Sequence, residues 1–351
     1  MSTARALFPG AMGPDGFISC FDQLLPEQDI RRKLILKGGP GVGKSTFMRR
    51  LHAALCSSGE TATLYFCSGD PDSLDAVSIP HAGLLMVDGT APHIVDPQFP
   101  GARDTLINLG ACLDESAMMP RLPHIRACMS DHASASRRAR AFLKAAQVIL
   151  EDNSHLIASA VDPARCSRMI RAIIQAVFSC DAQRDAQAHV RSVITDAVTP
   201  KGELCLLRDD PQMRVIRLTG LPGMDPTPVL RQVSQAVLNA GWTVEEHLCP
   251  MAPGRLMHLT IPACSTLITT QDQLSAEMLF DFGTCIPQGA LLRHECALEQ
   301  GSAAAALMMQ RAVSSMALAK QLHDELETFY VPNMDFSKWQ TLFDEVRASL
   351  S

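Results

Sequence analysis

Nine consecutive residues near the start of the chain have the types and spacing that bind phosphate. They are Gly38, Gly39, Pro40, Gly41, Val42, Gly43, Lys44, Ser45 and Thr46. The run satisfies the pattern G-x-x-x-x-G-K-[ST], the Walker A motif, in which glycines let backbone amides converge on phosphate oxygens. Lys44 is predicted to reach the β- and γ-phosphates, and the Ser45 hydroxyl is predicted to ligate Mg²⁺. The run therefore predicts a site for a nucleoside triphosphate.

The flanking residues predict the elements that such a loop needs. An apolar run at 33–37 predicts a strand before the loop, and Phe47, Met48, Leu51 and Leu55 recur at helical spacing after it. A strand, a glycine loop and a helix in this order place the loop amides at a helix N-terminus. The partial positive charge there favours a bound anion.

A carboxylate ends a second apolar run a little further along the chain. Residues 84–88 read LLMVD, so Asp88 is the natural Walker B residue, predicted to hold Mg²⁺ through water. The next residue is Gly89, whereas many ATPases place a water-activating glutamate at that position. The motif therefore does not identify the catalytic base.

Four further side chains near these motifs are candidates for orienting a water or accepting a proton from a substrate hydroxyl. They are Asp70, Asp72, Asp75 and His93. Together with Lys44 they form our set of candidate catalytic residues. For each of the four taken alone, a turn-stabilising role is the alternative.

The chain contains an internal repeat. A shift of 182 residues aligns 36–85 with 218–267 without a gap, and it pairs Gly38 with Gly220 and Cys67 with Cys249. A shift of 186 residues also aligns the segment that precedes this region, so that Ala11 pairs with Ala197. The chain is therefore predicted to consist of two fused P-loop-like halves.

The second half lacks the charged residues of the first. Its loop reads GLPGMDPT, so Asp225 replaces Gly43 and Pro226 replaces Lys44, and Thr270 replaces Asp88. Asp225 would repel phosphate, and the Pro226 side chain has no cation to offer. The sequence predicts that the second half does not bind nucleotide in the usual way.

These observations predict an α/β fold of the P-loop NTPase type, with two tandem halves and helical insertions. The first domain is expected at 1–190, with a helical insertion at about 114–180, and the degenerate domain with C-terminal helices at 191–351. Within the insertion, helices are predicted at 134–151 and 164–178, with a break at Asp152, Asn153 and Ser154.

Composition excludes several classes of protein. With 47% hydrophobic and 19% charged residues, the chain of 351 residues is expected to fold around a sizeable core. A net charge of −6 and only two Trp and two Tyr make nucleic acid an unlikely partner. No apolar run is long enough to span a membrane, and the first twenty residues lack the core of a signal peptide. Twelve scattered cysteines without a C-x-x-C pair are expected to be reduced thiols of a cytoplasmic protein.

Several runs resemble a family of uncharacterised bacterial P-loop ATPase-like proteins, mostly from Firmicutes, of about 350–370 residues. The runs are the Walker A segment at 37–46, DSLD at 72–75 followed by Ile79-Pro80, DGTAPH at 88–93 with VDP at 95–97, and HDELE at 323–327 with YVP at 330–332 and MDF at 334–336. The resemblance covers nearly the whole chain and implies a tandem P-loop fold and ATP binding, with no settled substrate. In that family the second half often has its own Gly-Lys-Ser/Thr loop, which this chain lacks.

Three functions are compatible with the sequence. The first, which we favour, is a Mg²⁺-dependent ATPase with one intact site, in which the second half acts as a regulator or as a platform for a protein partner. The second is a kinase of a small molecule or nucleotide, with the 114–180 region as its lid. The third is a nucleotide sensor that does not hydrolyse its ligand. The expected cofactors are ATP and Mg²⁺.

Overall fold

The structure is a computed structural model that describes residues 4–56, 61–91, 94–180 and 182–350. The first half contains the strands β1 to β8 and the helices α1 to α4. Their bounds are β1 Arg5–Leu7, β2 Gly10–Gly13, β3 Gly16–Ser19, β4 Arg32–Lys37, α1 Lys44–Leu55, β5 Thr63–Phe66, β6 Leu74–Ile79, β7 Leu84–Asp88, β8 Asp104–Asn108, α2 Glu115–Met118, α3 Leu122–Ser159 and α4 Pro163–Val177.

The second half repeats this series. Its elements are β9 Val190–Val193, β10 Asp196–Thr199, β11 Gly202–Cys205, β12 Arg214–Thr219, α5 Thr227–Asn239, β13 Val244–Leu248, β14 Leu256–Ile261, β15 Thr266–Thr269, β16 Met278–Asp281, α6 Glu295–Tyr330 and α7 Phe336–Ala348. No helix in these described ranges combines the length and the apolar composition needed to cross a bilayer.

Each half forms a mixed six-stranded sheet with the same connectivity. The strand order is β1-β5-β6-β7-β4-β8 in the first half and β9-β13-β14-β15-β12-β16 in the second. The strand before each glycine loop, β4 or β12, is parallel to both of its neighbours. The α/β architecture with two similar halves is therefore confirmed, and the repeat found in the sequence corresponds strand for strand.

The two sheets meet along β1 and β9. Phe8 and Ile194, which are equivalent under the 186-residue shift, form an antiparallel bridge in which the Phe8 amide donates to the Ile194 carbonyl at 2.9 Å. Beside it, the Arg5 guanidinium of the first half binds the Glu245 carboxylate of the second, with contacts of 2.9 and 2.5 Å. A pair of equivalent residues in mutual contact places the pseudo-twofold relation of the halves at this bridge.

The halves exchange their last helices. Helix α4 follows the first sheet in the chain but packs on the second core, where Ile170, Ile173 and Val177 are buried. Helix α7 follows the second sheet but packs on the first core through Trp339 and Phe343. The division predicted near residue 190 lies in the chain between the strands of the two sheets, and each hydrophobic core draws on both segments.

Two reciprocal hydrogen bonds fix this exchange. The Asp162 amide before α4 donates to the Cys285 carbonyl at 2.8 Å, and the Asp335 amide before α7 donates to the Cys112 carbonyl at 2.7 Å. The two donors are 173 residues apart in the chain, and so are the two acceptors. Both aspartates also cap their helices. The exchange is therefore a symmetric feature of the duplicated fold.

The long helices α3 and α6 run antiparallel and connect the halves. The predicted break at 152–154 is wrong, because α3 continues through it to Ser159. The polar side chains there bind neighbours instead of ending the helix: Asn153 Nδ2 donates to the Leu298 carbonyl at 3.3 Å, and Ser154 Oγ donates to the Gly223 carbonyl at 2.6 Å. Tertiary hydrogen bonds thus replace the local ones that favour a helix end.

Trp339→Ala tests the exchange. The Trp339 ring lies 5.5 Å from the Phe47 ring and stacks on Phe343, and its Nε1 donates to the Val42 carbonyl at 3.1 Å. Because removal of a buried aromatic side chain leaves a cavity, we expect the free energy of unfolding to fall by about 3–5 kcal/mol. Chemical denaturation measures the change. Phe336→Ala, at a 60% exposed position of the same helix, is the matched control and should be nearly neutral. Equal effects of the two variants would contradict the packing of α7 on the first core.

Candidate functional site

The glycine loop leaves the carboxyl end of β4, the strand beside the edge strand β8 of the first sheet. It connects β4 directly to α1, and β4 lies between β7 and β8, so three parallel strands end beside the loop. Open α/β sheets bind ligands at this edge because strand ends, loops and helix N-termini converge there. The fold therefore places the Walker A and Walker B residues at the position where a ligand is expected.

Two glycines give the loop its shape. Gly41 has φ +69° and Gly43 has φ +83°, values that residues with a side chain rarely adopt. Gly43 is the N-cap of α1, and no described side chain caps this helix. The first amides of a helix have no partner within the helix, so they are available to an anion at this end.

Lys44 is held at the front of the loop. Its Nζ donates to the carbonyls of Gly38 and Gly39 at 2.9 Å each and lies 3.5 Å from Asp88 Oδ2. The Lys44 and Asp88 side chains are only 13% and 16% exposed. A phosphate at the loop would find a cation already positioned and partly desolvated, which strengthens its attraction.

Ser45 and Asp88 are the oxygen donors predicted to bind Mg²⁺, and each is oriented by a backbone amide. Ser45 Oγ accepts from the Leu74 amide at 3.0 Å, and Asp88 Oδ1 accepts from the Thr90 amide at 2.8 Å. Thr90 Oγ1 in turn donates to the Gly38 carbonyl at 3.1 Å, so the end of β7 is tied to the loop. Hard oxygen ligands of this kind fit Mg²⁺.

Asp75 lies inside β6, whereas the sequence places it in the segment after the second strand. Burial, followed by the nearby negative charge of Asp88, raises the pKa of Asp75 to about 7. Lys44 and a hydrogen bond with Cys67 act in the opposite direction. Asp75 is thus part of the same electrostatic group as Lys44 and Asp88, and carboxyl groups with a pKa near neutrality are suited to proton transfer.

The other predicted catalytic residues do not lie together in the structure. Asp70 faces the site: its carboxylate accepts from Ser73 Oγ at 2.8 Å and lies 3.6 Å from Lys320 Nζ on α6. Asp72 is exposed and forms an ion pair with Lys201 of the second half at 2.6 Å, an arrangement that gives it a role in joining the halves. His93 lies outside the described residues.

The C-terminal end of α6 covers the loop, which sequence motifs alone do not indicate. A side chain at Gly39 would lie 2.8 Å from the Tyr330 ring, and one at Gly41 would lie 2.7 Å from Val331 and 3.4 Å from Glu327 Cβ. The residues that make this contact belong to the HDELE and YVP runs of the family resemblance. Those runs do not by themselves place α6 over the loop. Helix α6 belongs to the second half in sequence, so the site is built from both halves.

A cavity of about 270 Å³ lies beside the loop, under the α3–α6 pair. Its polar lining comes from Asp70 and Ser68 of the first sheet, and from His132 on α3 and Lys320 and His323 on α6. Of these, the sequence identified only Asp70 as a candidate. The cavity is large enough for a small polar molecule.

The loop of the second half has lost its anion-binding backbone. Asp225 stands where Gly43 stands, and among the described non-glycine residues only Ser265 has a positive φ, so Asp225 does not reproduce the Gly43 conformation. Pro226 and Pro228 have no amide hydrogen. The Thr227 amide between them donates to Asp225 Oδ1 at 2.9 Å, and this carboxylate pairs with Arg255 at 3.2 Å.

The rest of the second loop keeps the original geometry. Thr227 Oγ1 accepts from the Leu256 amide at 2.9 Å, which matches the contact between Ser45 and Leu74 in the first half. Gly223 keeps φ +87°. The scaffold therefore persists, while the glycine and the lysine of the first loop are replaced by Asp225 and Pro226 in the second.

Comparisons with models of protein families, with curated proteins and with solved structures found no match.

Proposed function

We propose that the chain is a P-loop NTPase that binds one Mg²⁺–ATP in its first half and hydrolyses it slowly. The observation that carries the proposal is the contrast between the two loops. They share strand, glycine and hydroxyl positions, but only the first has Lys44 at 3.5 Å from Asp88 and a glycine N-cap with φ +83°. That set of groups is what a triphosphate requires.

The residues present fit a Mg²⁺ ion. Ser45 would provide the hydroxyl ligand and Asp88 the carboxylate, the latter through water. Bound Mg²⁺ supplies charge that offsets the β- and γ-phosphates. Lys44 then exchanges its contacts with the Gly38 and Gly39 carbonyls for the phosphate oxygens, and the α1 amides orient them.

Helix α6 is the candidate for carrying the result of nucleotide turnover to the second half. It is 36 residues long, or about 54 Å at 1.5 Å per residue. Its end contacts Gly41 through Val331, and its other end packs against Asn153 of α3 near the second loop. A change at the first loop therefore has a rigid path to the degenerate half, which acts as a regulator or as a platform for a protein partner.

A kinase of a small polar molecule is the second candidate, and the 270 Å³ cavity favours it. Asp70 and His323 line that cavity and are groups that accept a proton from a hydroxyl. Lys320 supplies a cation near the predicted phosphate position. In this case the α3–α6 pair serves as the lid.

The test is release of ADP and phosphate from Mg²⁺–ATP by the full chain, followed together with nucleotide binding. Stoichiometric binding with phosphate release that stops without Mg²⁺ supports the ATPase. Binding without phosphate release, followed by ADP formation when small hydroxylated metabolites are added, supports the kinase. Absence of binding at millimolar Mg²⁺–ATP overturns both.

A further inference from the structure

A second polar site lies in the degenerate half and has no counterpart in the first. Asp196 and Cys205 face each other across the β10–β11 hairpin, and His258 comes from β14 beneath it. One ligand atom from each of these three residues lies within 4.8 Å of the other two. His258 is fully buried, and its Nε2 lies 2.9 Å from Asp196 Oδ2.

The trio formed by Asp196, Cys205 and His258 lies at a cavity of about 610 Å³. Asp196, Cys205 and Gln271 are among the residues that line this cavity. This cavity is the counterpart of the one beside the first loop, because Cys249 and Met309, which line it, correspond to Cys67 and Ser136 there. Asp196 and Cys205 therefore line the pocket of the second half, and His258 lies buried behind them.

The equivalent positions in the first half have no ligand character. Asp196 corresponds to Gly10, Cys205 to Ser19 and His258 to Ala76. All three potential ligands are thus specific to the half that lost Lys44 and Asp88. The second half thus has a carboxylate, a thiol and an imidazole that converge on one point where the first half has small residues. Taking an imidazole and a carboxylate out of water costs free energy, so their convergence indicates a binding site.

We propose that Asp196, Cys205 and His258 bind a Zn²⁺ ion with an open fourth position toward the cavity. Imidazole, thiolate and carboxylate are the ligands of zinc, at about 2.0–2.3 Å, and three protein ligands plus water are typical of its reactive sites. This mixture of soft and nitrogen ligands excludes Mg²⁺ and Ca²⁺ as the preferred ion. The assignment is independent of nucleotide binding in the first half.

The surrounding hydrogen bonds fit a metal-binding histidine. Thr269 Oγ1 lies 2.9 Å from His258 Nδ1, and the Gln271 side chain donates to Asp196 Oδ1 at 2.9 Å. Zinc replaces the Nε2 proton of His258, which moves to Nδ1 and is donated to Thr269 Oγ1. The Cys205 thiol releases one proton to solvent as the Zn–S bond forms. Outer-sphere contacts of this kind orient ligands in zinc sites.

Co²⁺ titration of the chelator-stripped full chain tests the proposal, with metal analysis of the untreated protein beside it. We expect one tight equivalent, visible d–d bands of tetrahedral Co²⁺ and a near-ultraviolet thiolate-to-cobalt band. Cys205→Ser should remove the thiolate band. His258→Gln keeps a donor toward Asp196 and should lower Co²⁺ affinity about 100-fold or more, because even outer-sphere changes cost about 10–100-fold.

Two controls separate the site from the other thiols and imidazoles. Cys249→Ser alters another cysteine of the same cavity, and His247→Gln alters the neighbouring buried histidine. Both should keep the full spectrum. Less than one tight equivalent, a thiolate band that survives Cys205→Ser, or equal losses in the control variants would overturn the assignment. If Cys205→Ser does not fold, the wild-type spectrum and the Co²⁺ affinity of His258→Gln still test whether these residues bind the metal.

Discussion

Replacing Lys44 with alanine is expected to abolish nucleotide binding and turnover. The Lys44 side chain is 13% exposed, and its ammonium is already oriented by the Gly38 and Gly39 carbonyls, so its loss leaves the phosphates without their nearest cation. Loss of one partner of a desolvated charge pair costs about 2–5 kcal/mol, so the affinity should fall at least about 30-fold. Equilibrium binding of Mg²⁺–ATP measures the loss, and phosphate release should vanish with it.

Thr227→Ala is the matched control for this prediction. Thr227 is the equivalent of Ser45, and it occupies the same position in the degenerate loop. Because we propose that the second loop, with Asp225, Pro226 and Pro228, does not bind nucleotide, the variant should bind nucleotide as the wild type does. A comparable loss in Thr227→Ala would show that the second loop takes part in nucleotide binding and would contradict a single intact loop.

Replacing Glu245 with alanine is expected to cause a large loss of stability. This carboxylate is 4% exposed and binds Arg5 of the first half at 2.5 Å and Arg191 of the second at 3.1 Å. Without it two guanidinium groups face each other at the junction of the sheets. Breaking a buried ion pair by removing one partner costs about 3–5 kcal/mol, which denaturant unfolding should show.

The pH dependence of stability gives this prediction a second readout. Burial opposes ionisation of Glu245, but the hydrogen bond and the positive charge of Arg5 more than compensate, so its pKa lies below the ordinary value of 4.5. A lowered pKa in the folded state adds stability above pH 4.5 that is lost as the pH falls below it. Glu245→Gln should lack this part of the acid dependence.

Asp72 offers the control for the junction. It also joins the halves, through Lys201, but its side chain is 76% exposed. Surface ion pairs contribute little to stability, so Asp72→Ala should leave the unfolding curve nearly unchanged. If Asp72→Ala destabilised the protein as much as Glu245→Ala, burial would not be the reason for the Glu245 effect.

The sequence predicts the repeated part of this fold well. The 182-residue shift relates the bounds of β4 to those of β12, and the bounds of β6 to those of β14. The reason is that the same apolar pattern builds both sheets. The exchange of α4 and α7 could not be predicted, since their apolar faces fit either core equally in a sequence pattern. The contacts of Trp339 and Phe343 with Phe47 show which core α7 covers.

In the candidate site, too, some residues could be predicted from the sequence and others could not. The local motif around Lys44 and Ser45 is contiguous in sequence, so spacing alone brings its groups together. Lys320 and His323 are distant in the chain and reach the site only because α6 crosses to the other half. Asp72 lies two residues after Asp70 but turns toward Lys201, because it forms an ion pair with the second half.

The stoichiometry of nucleotide binding tests the central claim most directly. Calorimetric titration of the full chain with a non-hydrolysable ATP analogue and Mg²⁺ counts the sites without interference from turnover. The geometry of the two loops predicts one equivalent per chain in the wild type and in Thr227→Ala, and none in Lys44→Ala. Two equivalents in the wild type, or one that persists in Lys44→Ala, would contradict a single site in the first half.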